Sequence, residues 1–168
     1  MVITKTHQDL KDVLLEPKAV GVKDAYFILQ GEGQNITIIA SGNNGREFNK
    51  THGHFKKSQT AENLYCLYGQ GLLVMQRNDE VGEAKEFKVV SLNPGKQVMI
   101  PAGFGSTVIN IGKAFLVILD HSTLTPQAYN MLSVKAKKGF AYYVVEKKGE
   151  ISFEQNPHYL VHPQITME

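Results

Sequence analysis

Two histidines and a glutamate form the first group of residues that could do chemistry together. His52 and His54 flank a single glycine, and Glu62 follows a short distance along the chain. On an extended strand, residues two apart share a face, so His52, His54 and Lys56 would point the same way. Imidazole and carboxylate ligands together suit Fe, Mn, Ni or Zn. The spacing predicts a metal site formed by His52, His54 and Glu62, with one alternative in which His52 lies on the surface and only His54 faces inward.

The chain around these residues has the pattern of short strands separated by turns. The candidate strands are rich in Val, Ile, Tyr and Phe, and they are bounded by Gly, Asn, Asp or Pro. They cover residues 25–30, 35–40, 46–55, 63–68, 71–77, 86–91, 97–100, 106–110, 114–120, 141–146 and 150–154. This rhythm favours an all-β sandwich or barrel over an alternating α/β fold. Residues 8–16 predict a short helix that Pro17 ends, and residues 122–137 predict an irregular stretch with a short helix.

The bulk composition is that of a globular protein. Of the 168 residues, 42% are hydrophobic and 20% are charged, which fits one ordinary domain with a real core. The formal net charge of +2 is too small to indicate nucleic acid or an anionic membrane as a partner. The lone cysteine, Cys66, rules out an intramolecular disulfide, and its apolar neighbours predict a buried, inert thiol. Since we find no signal peptide and no apolar run of spanning length, we expect a cytoplasmic protein.

A second informative stretch lies between the predicted strands of the middle of the chain. It places five residues in this order: Gly95, Pro101, Gly103, Ser106 and Asn110. This spacing resembles the second cupin motif, in which a histidine stands at the position of Ser106. The stretch around the histidines resembles the first cupin motif, with its histidine pair, its glutamate and a later glycine. The resemblance implies an all-β fold, a single cupin (double-stranded β-helix or jelly-roll) barrel with a short N-terminal helix or extension. We expect one domain over residues 1–168, with its core at about 20–156.

The resemblance narrows to the cupin-type glucose-6-phosphate isomerases. The pieces that carry it are QNITIIASG (34–42), GREFNKTHGHF (45–55), AENLYCLYGQGLLVMQ (61–76), IPAGFGSTVINIG (100–112) and KGFAYYVVEKKGEISFEQNPHY (138–159). They cover nearly the whole chain from about residue 10 to 159, in order and with small gaps. The resemblance implies an isomerase of glycolysis and gluconeogenesis that acts on a phosphorylated sugar. It also implies a homodimer.

The resemblance assigns binding and catalytic roles to single residues. The hydroxyls and backbone N–H that hold the phosphate in the family match Thr37, Thr51 and Gly53, and Tyr26 is a further candidate. Such groups suit a phosphate because they donate hydrogen bonds to it without demanding bulk. The glutamate that is both metal ligand and proposed base for moving a proton between C1 and C2 matches Glu62.

Other catalytic positions of the family are only partly present. The tyrosine two residues after the glutamate is Leu64 in this chain, whereas a tyrosine before the C-terminal strands matches Tyr129. The first histidine of the family pair matches His54, but the second falls on Lys56 and the last histidine ligand falls on Ser106. Two side chains seldom hold a divalent transition ion against water. We therefore expect no cofactor or a weakly bound divalent metal (Fe, Mn, Ni or Zn).

Two arrangements would compensate for the missing ligands. In the first, His52 restores a pair with His54, and His121 is a remote candidate for a further ligand. In the second, which we favour, the Lys56 ammonium occupies the place of the metal and pairs with Glu62. Either arrangement would keep a positive charge beside the glutamate.

Two functions follow from this pattern. The leading hypothesis is a sugar-phosphate aldose–ketose isomerase of the glucose-6-phosphate/fructose-6-phosphate type, with a degraded metal site and Glu62 as the base. The alternative is a non-catalytic cupin barrel that binds a phosphorylated sugar, or that acts as an interaction or structural subunit. The fold by itself does not decide between them.

Overall fold

Strands dominate the computed structural model of the protein, which describes residues 1–122 and 128–168. In chain order they are β1 (Val2–Thr6), β2 (Asp24–Gln30), β3 (Asn35–Ile39), β4 (Asn43–Asn44), β5 (Glu47–Phe48), β6 (His54–Lys56), β7 (Glu62–Tyr68), β8 (Gly71–Asn78), β9 (Ala84–Leu92), β10 (Gln97–Ile100), β11 (Gly105–Asn110), β12 (Leu116–Asp120), β13 (Tyr129–Asn130), β14 (Tyr142–Lys147), β15 (Glu150–Gln155) and β16 (Ile165–Met167). The all-β prediction is confirmed.

Helical structure is limited to short segments in the described residues. Helix α1 (His7–Leu10) and a 3-10 turn (Lys11–Val13) follow β1, and helix α2 (Leu132–Ala136) follows β13. The predicted N-terminal helix is therefore present but ends earlier than residue 16. The predicted irregular stretch 122–137 contains β13 and α2, and its residues 123–127 lie outside the described part of the chain. No helix of the described residues is both long and apolar enough to cross a membrane.

The strands form three sheets. The first has the order β1-β2-β3-β12-β7-β10, the second β13-β6-β11-β8-β9-β16, and the third β15-β14-β5-β4. β16 pairs with β9 in parallel, whereas the other pairings among the described strands are antiparallel. β1 and β16 lie outside the range of about 20–156 that the sequence predicted for the core. The assignment of one domain to the whole chain stays a prediction.

Alternating burial shows which faces of the first two sheets meet. In β12, Leu116 and Ile118 are almost fully buried, whereas Val117 and Leu119 between them are only partly buried. Because successive strand residues point to opposite faces, Leu116 and Ile118 face the interior. There they join the core with Val108 of β11, from the second sheet. The two sheets thus enclose the interior of an all-β cupin barrel, which confirms the predicted fold class.

The predicted continuous strand 46–55 is wrong. The structure has β4, β5 and β6 in this region, separated by turns and by an irregular segment before His54. A turn at Gly45 precedes β5, and within 46–55 the break covers residues 49–53 and ends at Gly53; the φ values of the two glycines are +62° and +84°. These values belong to the left-handed region, which glycine adopts at little cost and which cannot continue a strand.

A buried ion pair fastens the N-terminal segment to the barrel. Lys50 Nζ lies 2.5 Å from the Glu47 carboxylate and 2.6 Å from the backbone carbonyl oxygen of Val13. The other carboxylate oxygen of Glu47 accepts a hydrogen bond from the backbone N–H of Leu15 at 3.0 Å. Burial raises the pKa of Glu47, and the Lys50 ammonium opposes that shift. Because both groups are buried, water cannot stabilise either charge if the other is removed, and the pair is therefore tightly coupled.

Replacing Lys50 with Met should destabilise the protein strongly. The substitution leaves the buried Glu47 carboxylate without its counter-charge, which typically costs about 3–5 kcal/mol. Urea unfolding followed by circular dichroism measures this loss. The matched control is Lys135→Met, which removes an exposed ion pair with Asp12 and should barely change the unfolding midpoint. A Lys50→Met protein as stable as wild type would contradict the importance of the pair. The double variant Glu47→Gln/Lys50→Met, which removes both charges, should recover part of the lost stability.

Candidate active site

One cavity inside the barrel collects the residues that the sequence singled out. It encloses about 160 Å³, which corresponds to roughly five water molecules at about 30 Å³ each. Residues from both facing sheets line it. Those predicted from the sequence are Tyr26, Thr37, Thr51, His52, Gly53, His54, Glu62, Ser106 and Tyr129. The structure thus brings together, in one place, residues that are as much as about a hundred positions apart in the chain.

The predicted phosphate-binding residues lie along one side of this cavity. Thr37 is on β3, and Tyr26 is on the neighbouring strand β2. Thr51 and Gly53 belong to the segment that leads into β6. The Thr37 hydroxyl has no hydrogen-bond partner among the described residues, which leaves it free to contact a ligand in the cavity. The roles of these residues as phosphate contacts stay a prediction.

Thr51 also has a structural task. Its hydroxyl accepts a hydrogen bond from the backbone N–H of Val108 at 3.0 Å, and it lies 3.1 Å from the Thr107 hydroxyl. The Thr107 hydroxyl donates to the backbone carbonyl oxygen of Thr51 at 2.8 Å, so the Thr51 hydroxyl must donate to Thr107. A phosphate would have to compete with Thr107 for that proton.

Gly53 lets the chain approach the opposite strand closely. Its φ of +84° is in the left-handed region. A Cβ at this position would lie 2.7 Å from the Phe140 ring and 3.3 Å from both the Ser106 carbonyl oxygen and the Thr107 side chain. A residue with a side chain does not fit here, so a backbone N–H beside the cavity requires glycine. The same turn separates His52 from β6, so His52 does not share the strand alternation of His54 and Lys56.

Tyr26 presents a neutral hydroxyl to the cavity. Its oxygen accepts a hydrogen bond from the backbone N–H of His52 at 3.3 Å. Burial raises the pKa of Tyr26 to about 12 despite that hydrogen bond. The phenol therefore keeps its proton at neutral pH and can donate it to an anionic ligand.

His54 and Tyr129 form a second, largely buried pair. Their rings meet edge to face, with centroids 4.2 Å apart and planes inclined at 73°. Burial is the main cause that lowers the pKa of His54 to about 4, so its imidazole is neutral at pH 7. Burial also raises the pKa of Tyr129 to about 12. Both side chains can act as neutral hydrogen-bond donors.

Two carboxylates share the cavity with this pair. Glu62 begins β7, and Asp120 ends the neighbouring strand β12. Burial and the Asp120 charge raise the pKa of Glu62, whereas the Lys56 ammonium lowers it. A carboxyl group with a raised pKa and a nearby like charge is typical of acid–base sites.

The predicted ion pair between Lys56 and Glu62 is not formed. No hydrogen bond or salt bridge joins the two described side chains, and Lys56 lines a small cleft beside the main cavity. Glu62 lines the same cleft, and Lys56 lies opposite Tyr129 in the register of β6 and β13. The ammonium acts on Glu62 through space alone.

The donor atoms around the cavity do not fit a resident metal ion. Among residues 1–122 and 128–168, no three His, Cys, Asp or Glu side chains are arranged to hold a metal. Nδ1 of His52 lies 2.9 Å from the Gly53 carbonyl oxygen, which leaves Nε2 as the one nitrogen that this side chain could offer to a ligand. His121 is exposed, meets the Tyr65 ring edge to face and does not line the cavity. The prediction of His121 as a further ligand is wrong.

Besides Thr107, sequence reasoning missed three polar residues of the cavity. Lys5 of β1, Asp120 of β12 and Ser122 all line it. The Asp120 carboxylate accepts hydrogen bonds from the Asn35 side chain at 3.1 Å and from the backbone N–H and hydroxyl of Ser122. No motif marks these residues, because each is an isolated polar residue at or near a strand end. Only the strand alternation of β12 could have placed Asp120 on the inner face with Ile118.

The barrel and its polar cavity define a cupin, and comparison with other proteins gives the family. The sequence model of the family Glucose-6-phosphate isomerase (GPI) matches residues 26–162. The glucose-6-phosphate isomerase of Pyrococcus furiosus is 29% identical over 153 residues, which are 87% of this chain and 77% of that protein. The enzyme of the same name from Thermococcus litoralis is 30% identical over 81% of this chain and 71% of that protein. This chain belongs to the glucose-6-phosphate isomerase family.

Solved structures offer more distant likenesses. The Drosophila melanogaster CENP-C cupin domain aligns with a TM-score of 0.46 and 11% identity, over 67% of this chain and 81% of that chain. An oxalate oxidase in complex with glycolate aligns with a TM-score of 0.40 and 18% identity, over 53% of this chain and 41% of that chain. Likeness at this level says nothing about function.

The neutral state of His54 should be visible in the pH dependence of stability. The unfolded imidazole takes up a proton near pH 6.5, whereas the folded one does so only near pH 4. Between these values the unfolded state binds more protons, so His54 lowers stability as the pH falls from about 6.5 to about 4. Wild type should therefore lose Tm relative to His54→Gln in this window. The control, His158→Gln, removes an exposed imidazole and should follow wild type. Parallel curves for wild type and His54→Gln would contradict the burial of His54.

Proposed function

We propose that the protein is an aldose–ketose isomerase that interconverts glucose 6-phosphate and fructose 6-phosphate. One observation carries the proposal: the family glutamate and the family phosphate-binding residues meet in a single cavity of a chain that belongs to this family. The cavity is lined by residues of both sheets and is only partly open, which suits a reaction that must keep an enediol intermediate away from water.

The arrangement of the strands orients the substrate. The inner face of the first sheet presents Tyr26 and Thr37 on β2 and β3, and Asp120 and Glu62 on β12 and β7. The phosphate of the open-chain sugar binds on the β2–β3 side, with Thr51 and the Gly53 N–H closing over it. Carbons 1 and 2 then lie against Glu62. This orientation keeps the anionic phosphate away from the two carboxylates.

Glu62 is the base of the proposed reaction. Its carboxylate removes the proton from C2 of the aldose while the C1 carbonyl becomes part of an enediol, and it returns the proton to C1 to give the ketose. The raised pKa of Glu62 brings the carboxyl group closer to the operating pH, which favours proton transfer in both directions. The overall reaction is neither an oxidation nor a reduction, so proton transfer by acid–base groups is sufficient for it.

Neutral donors stabilise the charge that develops on the sugar oxygens. His54 and Tyr129 are in ring contact, and Tyr129 is close enough to Glu62 for that carboxylate to raise its pKa further. In this proposal the imidazole N–H and the phenol O–H donate to O1 and O2 and relay the hydroxyl proton between them. Preorganised donors of this kind perform best in a site with little water. No step of the proposal passes through a metal ion.

A non-catalytic barrel is the second candidate. The observation that favours it is the replacement of two histidines of the family pattern by Lys56 and Ser106. Such a protein would keep the binding residues Thr37, Thr51 and Gly53 and hold a phosphorylated sugar without converting it. Ligand binding and turnover therefore have to be measured separately.

Replacing Glu62 with Gln should separate turnover from binding. Wild type should convert fructose 6-phosphate to glucose 6-phosphate, measured by coupled oxidation of the product, with and without EDTA or added Mn or Fe. Glu62→Gln should lower kcat by about 10²–10⁴-fold, because the amide cannot accept the proton. The rise in Tm that either sugar phosphate produces should persist, since a ligand that binds only the folded state stabilises it. Glu80→Gln, in an exposed turn, is the matched control and should behave as wild type.

The outcomes distinguish the two candidates. A Tm rise with sugar phosphates but no turnover by wild type would establish the binding barrel and remove the isomerase. Turnover that Glu62→Gln leaves intact would remove Glu62 as the base. If neither sugar phosphate raises Tm and no turnover is detected, both candidates fall.

A further inference from the structure

Lys5 projects into the cavity from the first strand of the chain. In the register of β1 and β2, Lys5 lies directly opposite Tyr26, and Ile3 lies opposite Ile28. Directly opposed residues of an antiparallel pair point to the same face, and Tyr26 and Ile28 both line the cavity. Lys5 lines it as well, next to the predicted phosphate contact Tyr26.

The end of β1 is held in place by local structure. The Thr6 hydroxyl accepts a hydrogen bond from the Asp9 backbone N–H, and the Asp9 carboxylate accepts one from the Thr6 backbone N–H at 2.8 Å. This capping box starts helix α1 immediately after the strand. Leu10 and Val13 then bury their side chains completely in the core. β1 is therefore held by its pairing with β2 and by the helix that follows it, and Lys5 projects from this fixed strand.

The charges of the cavity are unevenly placed. Glu62 and Asp120 are on β7 and β12, whereas Lys5 is on β1, at the edge of the same sheet beyond β3 and β2. Of the described residues that line the cavity, Lys5 is the one fixed cation, and it forms no ion pair with another described residue. Its ammonium acts electrostatically on His52, which stands between Thr51 and Gly53. The cation is thus on the side of the phosphate-binding residues.

We propose that Lys5 binds the phosphate group of the substrate and is the residue that makes the site specific for phosphorylated sugars. This inference rests on the proposed function. Lys5 lies outside residues 26–162, the part of the chain that the family model matches, so the family pattern does not include it.

Electrostatics supplies the reason. A phosphate dianion that enters a cavity holding two carboxylates is repelled, and hydroxyl or backbone donors alone offset that repulsion poorly. An ammonium on a flexible stem provides a full positive charge and three donors without requiring a fixed geometry. Lys5 also lines the outer groove at the cavity mouth, together with Lys57, so it can meet the ligand as it enters.

Lys5→Met tests the assignment, with Lys57→Met as the matched control. Lys57 is exposed at the same mouth but does not line the cavity. Lys5→Met should raise KM for fructose 6-phosphate about 10- to 100-fold, the range of a charge-assisted hydrogen bond, and change kcat by less than about threefold. Lys5→Arg should recover most of the affinity. Lys57→Met should leave KM within about twofold of wild type. Circular dichroism and Tm without ligand establish that each variant is folded, and Lys5→Gln replaces Lys5→Met if that variant is not.

The result separates this inference from the proposed function. Suppose that wild type isomerises the sugar phosphate and Lys5→Met has the same KM, or that wild type binds it and Lys5→Met shows the same ligand-induced rise in Tm. Either result overturns the role of Lys5 while the proposed function stands. If wild type binds a sugar phosphate without turnover, a Tm rise reduced in Lys5→Met but not in Lys57→Met supports Lys5 in the binding barrel. If wild type neither turns over nor binds, the proposed function fails first and the role of Lys5 fails with it.

Discussion

The site depends on the way in which residues 49–53 cross the barrel without belonging to a strand. The buried side chain of Asn49 donates to the backbone carbonyl oxygens of Ala25 and Ala40, each at 2.8 Å, and accepts from the Asn44 side chain. Its carbonyl oxygen accepts from the backbone N–H of Asn110. A segment that leaves its sheet must satisfy its backbone groups in another way. Here the backbone N–H of Asn49 donates to the Gly42 carbonyl oxygen and that of Thr51 donates to the Val108 carbonyl oxygen, each at 2.9 Å. These contacts fix the segment from which Thr51, Gly53 and His54 reach the cavity.

The cavity that results has two unlike halves. On the side of β1 to β3 it offers hydroxyls, a backbone N–H and the Lys5 ammonium, which together favour an anion. On the side of β12 and β7 it holds Asp120 and Glu62 beside a neutral imidazole. A ligand with a phosphate at one end and exchangeable protons at the other matches both halves. A ligand without an anionic group would leave Lys5 unpaired, and one with two anionic ends would meet the carboxylates.

The sequence predicted the regular parts of the fold well, because glycine-rich turns and β-branched runs mark short antiparallel strands. Residues 97–100 match β10 in both bounds. The prediction failed at 46–55, where Gly53 adopts a left-handed conformation, since a glycine gives no sign in the sequence of which region it will occupy. β1 and β16 were missed because each is a short segment in which polar residues interrupt the apolar ones.

The sequence predicted those residues of the site that belong to motifs, and it did not predict the others. The two cupin-like stretches led to His54, Glu62 and Ser106, which the structure places around one cavity. They did not lead to Lys5 or Asp120, because a role for a single charged strand residue can be assigned only once the sheet order shows which residues lie beside it. The pairing expected for Lys56 failed for another reason: lining the same cleft as Glu62 does not by itself bring the ammonium within ion-pair distance of the carboxylate.

The substitution of two family histidines bears on mechanism more than on binding. An aldose–ketose isomerisation moves protons and leaves the oxidation state of the molecule unchanged, so its main electrostatic demand is to stabilise an enediolate oxygen. Hydrogen-bond donors fixed in a site with little water can meet that demand. His54 and Tyr129 are such donors, because burial keeps the imidazole neutral and the phenol protonated. In the proposed reaction Glu62, His54 and Tyr129 would carry out the proton transfers, whereas no three His, Cys, Asp or Glu side chains of the described residues are arranged to hold a metal ion.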